Sequence, residues 1–439
     1  MASENRVIRR KYYAADVTLL SPLSVSSGLN ETTDADVLVN GNGEIFVPGT
    51  SLAGAMRNAL GLTKTDKGIF GYSAGKKGEM SSMFISDLYF HRKPTVSVRD
   101  GVQLTDDKNV DNKFDMEIVE TGVCGTIYLD YVMRENDRGK DFEDGISRIF
   151  QGIQSGEIRF GAHKNRGFGR MKIETVYQKS FDMQNGQNDQ TVQDWTEFVQ
   201  NCSGAEGSPN SRTAYYDKKE AFDVWMKQQR NTIQSKYIKI TVPLKLTGGI
   251  SIRKYSTQPD KADYEHIVCN GKPVIPGTSW NGAIRSDIRD ILTELGCGQE
   301  TVQKISGQWF GKVSSEESEQ SSVVIGESII EGATRLPMSR NRINRFDASV
   351  KSSAFYSEIS FFGGKTELEI MVRKDENKNY QALLGILTLV IDDIREGFVA
   401  VGGQTAVGRG IFAEDAEREV TYSEPVDRKT CLEALYALI

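Results

Sequence analysis

The sequence predicts two tandem copies of one α+β domain, each built on an antiparallel sheet. Two observations support this prediction. Blocks of sequence recur at a nearly constant offset, and strand-like and helix-like segments follow one another without the regular strand–helix–strand alternation of a parallel sheet. We place the first copy at residues 1–178 and the second at 236–439, joined by a polar linker or insertion at 179–235.

The most specific repeat is a block that begins with a Pro-Gly turn. Residues 47–57, VPGTSLAGAMR, reappear as residues 275–285, IPGTSWNGAIR, at an offset of 228. Further matches follow at an offset of 240 or 241, and they include Phe70 with Phe310, Asp87 with Glu327, Phe114 with Phe355, Glu117 with Glu358, and Gly169 with Gly410. The second offset holds to within one residue from Phe70 to Gly169, which indicates a duplicated domain.

Both copies follow the same order of elements. A strand rich in β-branched residues comes first, and the Pro-Gly turn then leads into a helix. Further strands, a polar hairpin-like segment, a second helix and a closing Gly-rich loop complete the copy. The predicted helix caps are Thr50 and Ser51 in the first copy and Thr278 and Ser279 in the second.

Composition limits the class of protein. Of the 439 residues, 38% are apolar and 26% charged, which is typical of a folded domain protein. The longest apolar run, residues 382–391, is too short to span a membrane and predicts a buried helix. No apolar stretch follows the N-terminus, and the five cysteines include no CxxC pair. We therefore expect a cytoplasmic protein without a signal peptide, a disulfide framework or a cysteine zinc site.

The net charge of −6 argues against binding of nucleic acid through the overall charge of the chain. A nucleic-acid surface must therefore be local. Basic residues cluster between 159 and 170 and again between 335 and 345. An isolated basic cluster is usually only a solvated surface, but these two occur within matched parts of the repeat.

Two repeated backbone features could hold phosphate groups. Free N–H groups at a helix start bind anions, and glycines let backbone amides approach a phosphate closely. The alternatives are close packing of the helix on the sheet and ordinary tight turns. The candidate residues are Thr50, Ser51 and Arg57 with Thr278, Ser279 and Arg285 at the helix starts, and His163, Lys164, Arg166, Gly167 and Gly169 with Gln404, Gly408 and Arg409 in the Gly-rich loops. Neither loop continues into Gly-Lys-Ser/Thr, which argues against a nucleotide hydrolase.

The polar segment of each copy is longer than an ordered turn requires and predicts an extended, protruding hairpin. Its basic residues are Arg99 in the first copy and Arg340, Arg342 and Arg345 in the second. An ordinary exposed loop is the alternative interpretation.

Matched acidic residues precede both Pro-Gly turns. Asp34 and Asp263 begin the shared pattern Asp-x-acid-x-Leu/Ile-Val, with Asp36 and Asp260 as rivals. One such residue is usually a turn or capping residue. A matched pair beside a phosphate surface could instead polarise a ribose 2′-hydroxyl or hold a divalent ion.

The histidines restrict the possible mechanism. Only His91, His163 and His266 exist, and none has a counterpart in the other copy. A histidine acid–base mechanism shared by both copies is therefore excluded.

Together these motifs resemble the RAMP superfamily of CRISPR proteins, and specifically the backbone subunits of type III effector complexes. The resemblance covers nearly all of both copies and rests on the Pro-Gly-Thr-Ser block, the Arg-Asn-Arg-Ile-Asn-Arg and Arg-Asp-Gly-Val segments and the closing Gly-rich loops. Most such subunits are single-copy, so the fusion resembles the subtype III-D arrangement.

The resemblance implies a modified RRM-like (ferredoxin-like) core in each copy and a thumb hairpin that wedges into the guide–target duplex. It also implies crRNA, target RNA and other effector subunits as partners. The cleaving subunits of the family carry an aspartate where Asp34 and Asp263 stand, and cleavage depends on a transiently bound divalent ion such as Mg²⁺. The surrounding sequence departs further from the family pattern at Asp263 than at Asp34. A non-catalytic RNA scaffold and a guide-processing ribonuclease remain as alternatives.

Overall fold

The computed structural model describes residues 6–26, 28, 33–61, 69–75, 77–104, 110–137, 142–184, 189–204, 212–229, 234–255, 262–313, 318–341, 343–350 and 355–439. Internal contacts divide the chain into two units. Unit 1 consists of Met1–Lys164 and Phe168–Gln234, and unit 2 of Asn165–Gly167 and Ser235–Ile439.

Unit 1 is built on a five-stranded antiparallel sheet with the strand order β11-β10-β1-β9-β5. The strands of the unit are β1 (Val7–Leu19), β2 (Phe46–Val47), β3 (Tyr72–Ala74), β4 (Lys77–Glu79), β5 (Met83–Ile85), β6 (Leu88–Tyr89), β7 (Val96–Leu104), β8 (Val110–Val119), β9 (Cys124–Arg134), β10 (Met171–Asp182) and β11 (Lys218–Ala221). Its helices are α1 (Gly49–Leu60), α2 (Phe142–Ser155), α3 (Asp189–Gly204) and α4 (Phe222–Lys227).

Alternation along β1 separates the two faces of this sheet. Tyr13, Ala15 and Val17 point into the main core, where they meet buried side chains of α1, α2 and α4. Tyr12 and Ala14 point to the opposite face. The strand is therefore buried on both sides, although the repeated helices α1 and α2 pack on only one of them.

The opposite face is covered by α3 and the short 3₁₀ turn that follows it. Phe198 of α3 packs on Tyr12 with ring centroids 4.8 Å apart. Trp195 Nε1 donates a hydrogen bond to the hydroxyl of Tyr12 at 2.7 Å. The guanidinium of Arg212 lies 4.2 Å above the ring of Tyr128. Much of the segment that its polar composition suggests to be a linker or insertion is thus a layer on unit 1.

Unit 2 repeats the main arrangement with the sheet order β20-β24-β12-β25, and β26 also pairs with β12. Its strands are β12 (Tyr237–Leu246), β13 (Gly249–Ile250), β14 (Arg253–Tyr255), β15 (Tyr264–His266), β16 (Val268–Cys269), β17 (Lys272–Ile275), β18 (Lys312–Val313), β19 (Ser318–Glu319), β20 (Val323–Ile325), β21 (Ser328–Ile329), β22 (Thr334–Arg340), β23 (Tyr356–Phe362), β24 (Lys365–Arg373), β25 (Phe412–Glu414) and β26 (Thr421–Tyr422). Its helices are α5 (Gly277–Glu294), α6 (Gln299–Phe310), α7 (Tyr380–Glu396) and α8 (Arg428–Leu438).

The core of unit 2 lies between this sheet and its helices. Trp280 of α5 is fully buried against Phe412 of β25, with ring centroids 5.1 Å apart. The predicted buried helix at 382–391 is confirmed, because it lies within α7 and nearly every residue of that run is buried. Among the described residues, no helix is long and apolar enough to cross a membrane. Both units mix helices with a central antiparallel sheet, as the sequence predicts.

The outer face of the unit 2 sheet differs from that of unit 1. Lys239 on β12 forms an ion pair with Glu369 on β24 at 2.5 Å, and both side chains are partly exposed. This face is polar, whereas the corresponding face of unit 1 carries a buried aromatic cluster.

Both Pro-Gly turns begin helices, but the predicted Thr-Ser caps are wrong. α1 and α5 start directly after the prolines, at Gly49 and Gly277, and neither has a side-chain cap. The Thr-Ser pairs lie inside the first turn because the proline itself is the N-cap residue. A Cβ on Gly49 would lie 2.4 Å from the carbonyl oxygen of Ile85, so close packing requires glycine here.

Candidate nucleic-acid interface

The loop that carries Asp34 is held on the hairpin strand β8. The backbone N–H of Asp34 donates to Oδ1 of Asp115 at 2.9 Å, and the backbone N–H of Asp115 donates to Oδ2 of Asp34 at 3.0 Å. The side chain of Asp34 nevertheless remains exposed. The exchange therefore fixes the carboxylate without removing it from solvent.

Asp36, the rival in the same loop, is used locally. Its Oδ1 accepts hydrogen bonds from the backbone N–H and the hydroxyl of Thr33, both at 2.8 Å. Asp36 closes a turn, and of the two aspartates Asp34 is the more exposed.

Asp263 is held in unit 2 in a closely similar way. The backbone N–H of Ser357 donates to Oδ2 of Asp263 at 2.7 Å, and the backbone N–H of Asp263 donates to the Ser357 hydroxyl oxygen at 3.2 Å. The bonds from Ser357 hold the pKa of this exposed carboxyl below its usual value. Ser357 lies one residue before Glu358 on β23. Asp115 lies two residues before Glu117, the match of Glu358, on β8. Asp260 lies outside the described residues.

The polar segments form antiparallel hairpins, in which β7 pairs with β8 and β22 pairs with β23. Arg99 on β7 is only 5% exposed. Its burial disagrees with the predicted phosphate contact, because the guanidinium is not presented to solvent.

The turn region of the second hairpin exposes apolar side chains beside a cation. Phe346 is 85% exposed, and Ile343 and Val350 are also exposed. The guanidinium of Arg345 lies 5.0 Å above the Phe346 ring. An exposed ring and a nearby cation suit contact with bases and phosphates. Arg342 lies outside the described residues.

Arg340, predicted as a charge for RNA, is instead engaged within unit 2. Its Nη2 lies 3.1 Å from Oε1 of the buried Glu358. Arg253 approaches Oε2 of Glu358 at 3.7 Å, and Nε2 of Gln404 donates to that oxygen at 2.8 Å. Glu358 therefore joins the hairpin, β14 and the Gly-rich loop. The sequence alone does not show this role, although the match of Glu117 with Glu358 in the repeat indicates a shared position.

The Gly-rich loops use much of their own backbone for packing. The N–H of Gly169 donates to the carbonyl of Pro22 at 2.8 Å, and the N–H of Gly410 donates to the carbonyl of Gly249 at 2.8 Å. A Cβ on Gly410 would lie 1.9 Å from the carbonyl oxygen of Val401. These glycines are required for the turn itself. Lys164, Gly408 and neighbouring exposed residues remain accessible for a ligand.

Other members of the two loops are partly engaged. His163 has a φ of 55° and meets Phe168 edge-on, with ring centroids 5.8 Å apart. Arg409 lies 4.4 Å above the ring of Phe362. Arg166 is half-buried and Gly167 is buried.

The helix starts are less free than the sequence suggests. The backbone N–H of Gly49, at the start of α1, donates to Oδ1 of Asp87 at 2.7 Å. This N–H of α1 is therefore already used within unit 1 and is not available to a phosphate. In unit 2, Nε of Arg285 donates to the hydroxyl of Ser306 on α6 at 3.1 Å. Thr50, Ser51 and Thr278 are exposed, and Arg57 and Ser279 are half-buried.

His266 is a structural residue. Burial lowers its pKa to about 4. Nδ1 accepts a hydrogen bond from the backbone N–H of Ile252 at 3.0 Å, and Nε2 lies 3.1 Å from the carbonyl oxygen of Val274. The neutral ring with its proton on Nε2 satisfies both contacts.

The carboxylates of Asp34 and Asp263 are the expected ligands of a divalent ion. Mg²⁺ usually keeps several waters and binds through one or two carboxylates and the phosphates of a substrate. Within the described ranges, no three His, Cys, Asp or Glu side chains are grouped so that they could hold a metal ion. Asp34 and Asp263 each offer one exposed carboxylate. Asp34 and Asp263 can therefore each contribute one carboxylate to an ion that also binds RNA.

The RAMP superfamily model matches the chain twice, at residues 16–172 and 259–413. Because these matches cover more than half of the sequence, the chain belongs to the RAMP superfamily. The two matches agree with the tandem repeat. No curated protein matches the chain. RAMP proteins are generally CRISPR-associated and RNA-binding, and they work in ribonucleoprotein complexes with other subunits. The ferredoxin-like fold of the superfamily agrees with the β-α-β-β-α-β order of the main elements in both units.

Proposed function

We propose that this chain is a double backbone subunit of a type III CRISPR interference complex that binds crRNA and cleaves complementary target RNA. Each unit supplies one aspartate-dependent site, with Asp34 in the first and Asp263 in the second. The main support is that both carboxylates are exposed and both exchange hydrogen bonds with the second strand of a hairpin. The two aspartates that match in sequence therefore also have similar hydrogen bonds.

The proposed reaction is transesterification within the target strand. The 2′-oxygen of a ribose attacks the adjacent phosphorus and the bond from phosphorus to the 5′-oxygen breaks. A base takes the 2′-hydroxyl proton, the leaving 5′-oxygen takes up a proton, and the products carry 2′,3′-cyclic phosphate and 5′-hydroxyl ends. Asp34 would orient the 2′-hydroxyl or bind Mg²⁺ together with RNA oxygens. A bound ion supplies charge stabilisation at the phosphate.

A non-catalytic scaffold is the second candidate, and one observation favours it for unit 2. The pKa of Asp263 lies below its usual value because Ser357 donates hydrogen bonds to it. A carboxylate of low pKa is a weak general base. Of the two sites, that of Asp263 is therefore the one for which a purely structural role has more support.

The test is site-resolved cleavage of end-labelled target RNA by the assembled complex. We expect two products, of which Asp34→Asn removes one and Asp263→Asn the other, while target affinity stays within about twofold because no phosphate-binding cation is lost. Asp36→Asn is the matched control in the first loop, and Asp260→Asn tests the rival in the second. Loss of RNA binding together with cleavage would support the scaffold instead. A product ladder that none of the four variants changes would refute the assignment of both sites.

A further inference from the structure

We propose that Glu117 is a positioning residue for Asp34, an inference that rests on the proposed function of that aspartate. Glu117 makes two contacts with the loop. Its backbone N–H donates to the carbonyl oxygen of Ala35 at 3.0 Å, and its Oε2 accepts a hydrogen bond from the backbone N–H of Val37 at 2.9 Å.

These contacts complete a series that begins at Asp34. Asp115 and Glu117 lie two residues apart on β8 and therefore point to the same side of the strand. Asp115 holds Asp34, and Glu117 holds Ala35 and Val37. The loop is thus attached to β8 at Asp34, Ala35 and Val37. The attachment at Asp34 uses the carboxylate of Asp115, and the attachment at Val37 uses the carboxylate of Glu117.

The matched glutamate of the second unit has different side-chain partners. Glu358 matches Glu117 in the repeat and follows Ser357, the residue that holds Asp263. The backbone at Tyr264, directly after Asp263, pairs with Glu358 in the parallel ladder of β15 and β23. The Glu358 side chain is buried among Arg253, Arg340 and Gln404. In unit 2 the matched glutamate therefore contacts the aspartate loop through its backbone, and its side chain binds other elements, so the side-chain contact with the loop is a feature of Glu117 in unit 1.

The contacts of Glu117 predict how its variants should differ. A glutamine retains an oxygen that accepts from Val37 N–H, whereas an alanine leaves that N–H without the bond. Glu117→Gln should therefore keep the loop in place, and Glu117→Ala should release it. A misplacement of about 1 Å can reduce catalysis by about a hundredfold, so we expect Glu117→Ala to lower cleavage at the Asp34 site at least about tenfold. Glu117→Gln should stay within about threefold of the unmodified protein.

The experiment combines two measurements on the full-length protein. Hydrogen exchange of a peptide covering residues 33–40 reports the loop directly, and site-resolved cleavage at saturating target RNA reports its effect on the reaction. We expect faster exchange and loss of the Asp34 product for Glu117→Ala, near-normal behaviour for Glu117→Gln, and an unchanged Asp263 product in both. Glu174→Ala, which removes an exposed partner of Lys172 on β10, is the control.

The outcomes separate this inference from the proposed function. Unchanged exchange in Glu117→Ala overturns the inference, whatever the cleavage result. Faster exchange with normal cleavage also overturns it, because the position of the loop would then not matter. If Asp34→Asn leaves the product ladder unchanged, the proposed function of Asp34 fails, while the exchange measurement still decides whether Glu117 holds the loop.

Discussion

Asp287 should make the stability of unit 2 fall as the pH rises from about 6.5 to 8. Burial on α5 and the neighbouring carboxylates, Asp393 first, raise its pKa to about 7 from a model-compound value of 3.8. Burial also raises the pKa of Asp393 on α7. A carboxyl group with a raised pKa in the folded state stabilises fully below its unfolded pKa, and this contribution is lost as the pH rises through the folded pKa.

The expected magnitude follows from linkage. For the complete shift, the free energy of unfolding would fall by about 1 kcal/mol over this interval. Asp287 is only half-buried, so solvent screening reduces the value to about half of that. That corresponds to a fall of about 1–2 °C in the melting temperature of a unit of this size. His266 acts in the opposite direction in the lower part of this interval. Burial lowers its pKa to about 4, whereas an unfolded histidine is half-protonated near pH 6.5, so its contribution to stability rises with pH by a few tenths of a kcal/mol. The comparison with a variant of Asp287 that retains His266 therefore isolates the Asp287 contribution.

Scanning calorimetry of the full-length protein at constant ionic strength measures the effect. Asp287→Asn keeps a donor toward Asp393 and removes the titration of residue 287, so the melting temperature of its unit 2 transition should rise relative to that of the unmodified protein as the pH increases. Glu300→Gln, an exposed change on α6, should leave the pH dependence of the unmodified protein intact. The reasoning is refuted if the melting temperatures of the unmodified protein and of Asp287→Asn change in parallel across the interval.

Two further variants test surfaces of the separate units. The double change Arg335→Ala and Arg345→Ala removes two exposed cations from the second hairpin. Filter binding across a salt series should show weaker target binding, and the plot of log affinity against log salt concentration should have a slope shallower by about 1.4. Guide binding should be less affected. Lys429→Ala on α8 is the matched control. Equal loss of both RNAs would place the hairpin on the guide. Phe198→Ala should destabilise unit 1 by about 3 kcal/mol in denaturant unfolding, because this side chain of α3 is buried against the sheet. Val192→Ala, an exposed change in the same helix, should have little effect on stability. Similar losses for both variants would show that α3 does not pack on the sheet.

The sequence reveals the duplication and several elements because these depend on local patterns. The Pro-Gly block marks both helix starts, and the apolar run in α7 marks a buried helix. The predicted caps are wrong because Pro48 and Pro276 already occupy the N-cap positions, which places the Thr-Ser pairs inside the first turn.

The partners of charged residues could not be predicted in the same way. Arg99 and Arg340 look like surface cations, but one is buried and the other contacts Glu358. Arg253 meets the same glutamate from a distant part of the sequence. A pattern shows where charge stands along the chain, whereas its partner depends on which strands become neighbours. The matched aspartates were easier to recognise because the same residue pattern occurs before the Pro-Gly turn in both copies.

The layer formed by α3 has a consequence for how the first unit can meet RNA. In RRM domains, aromatic side chains on the open sheet face stack on bases. Here Tyr12 and Tyr128 lie on such a face, but Trp195, Phe198 and Arg212 occupy it. Intramolecular stacking takes the place that nucleobases would need. Bases therefore cannot stack on this part of the sheet, and we expect the RNA contacts of the first unit at the proposed sites, the aspartate loop and the hairpin.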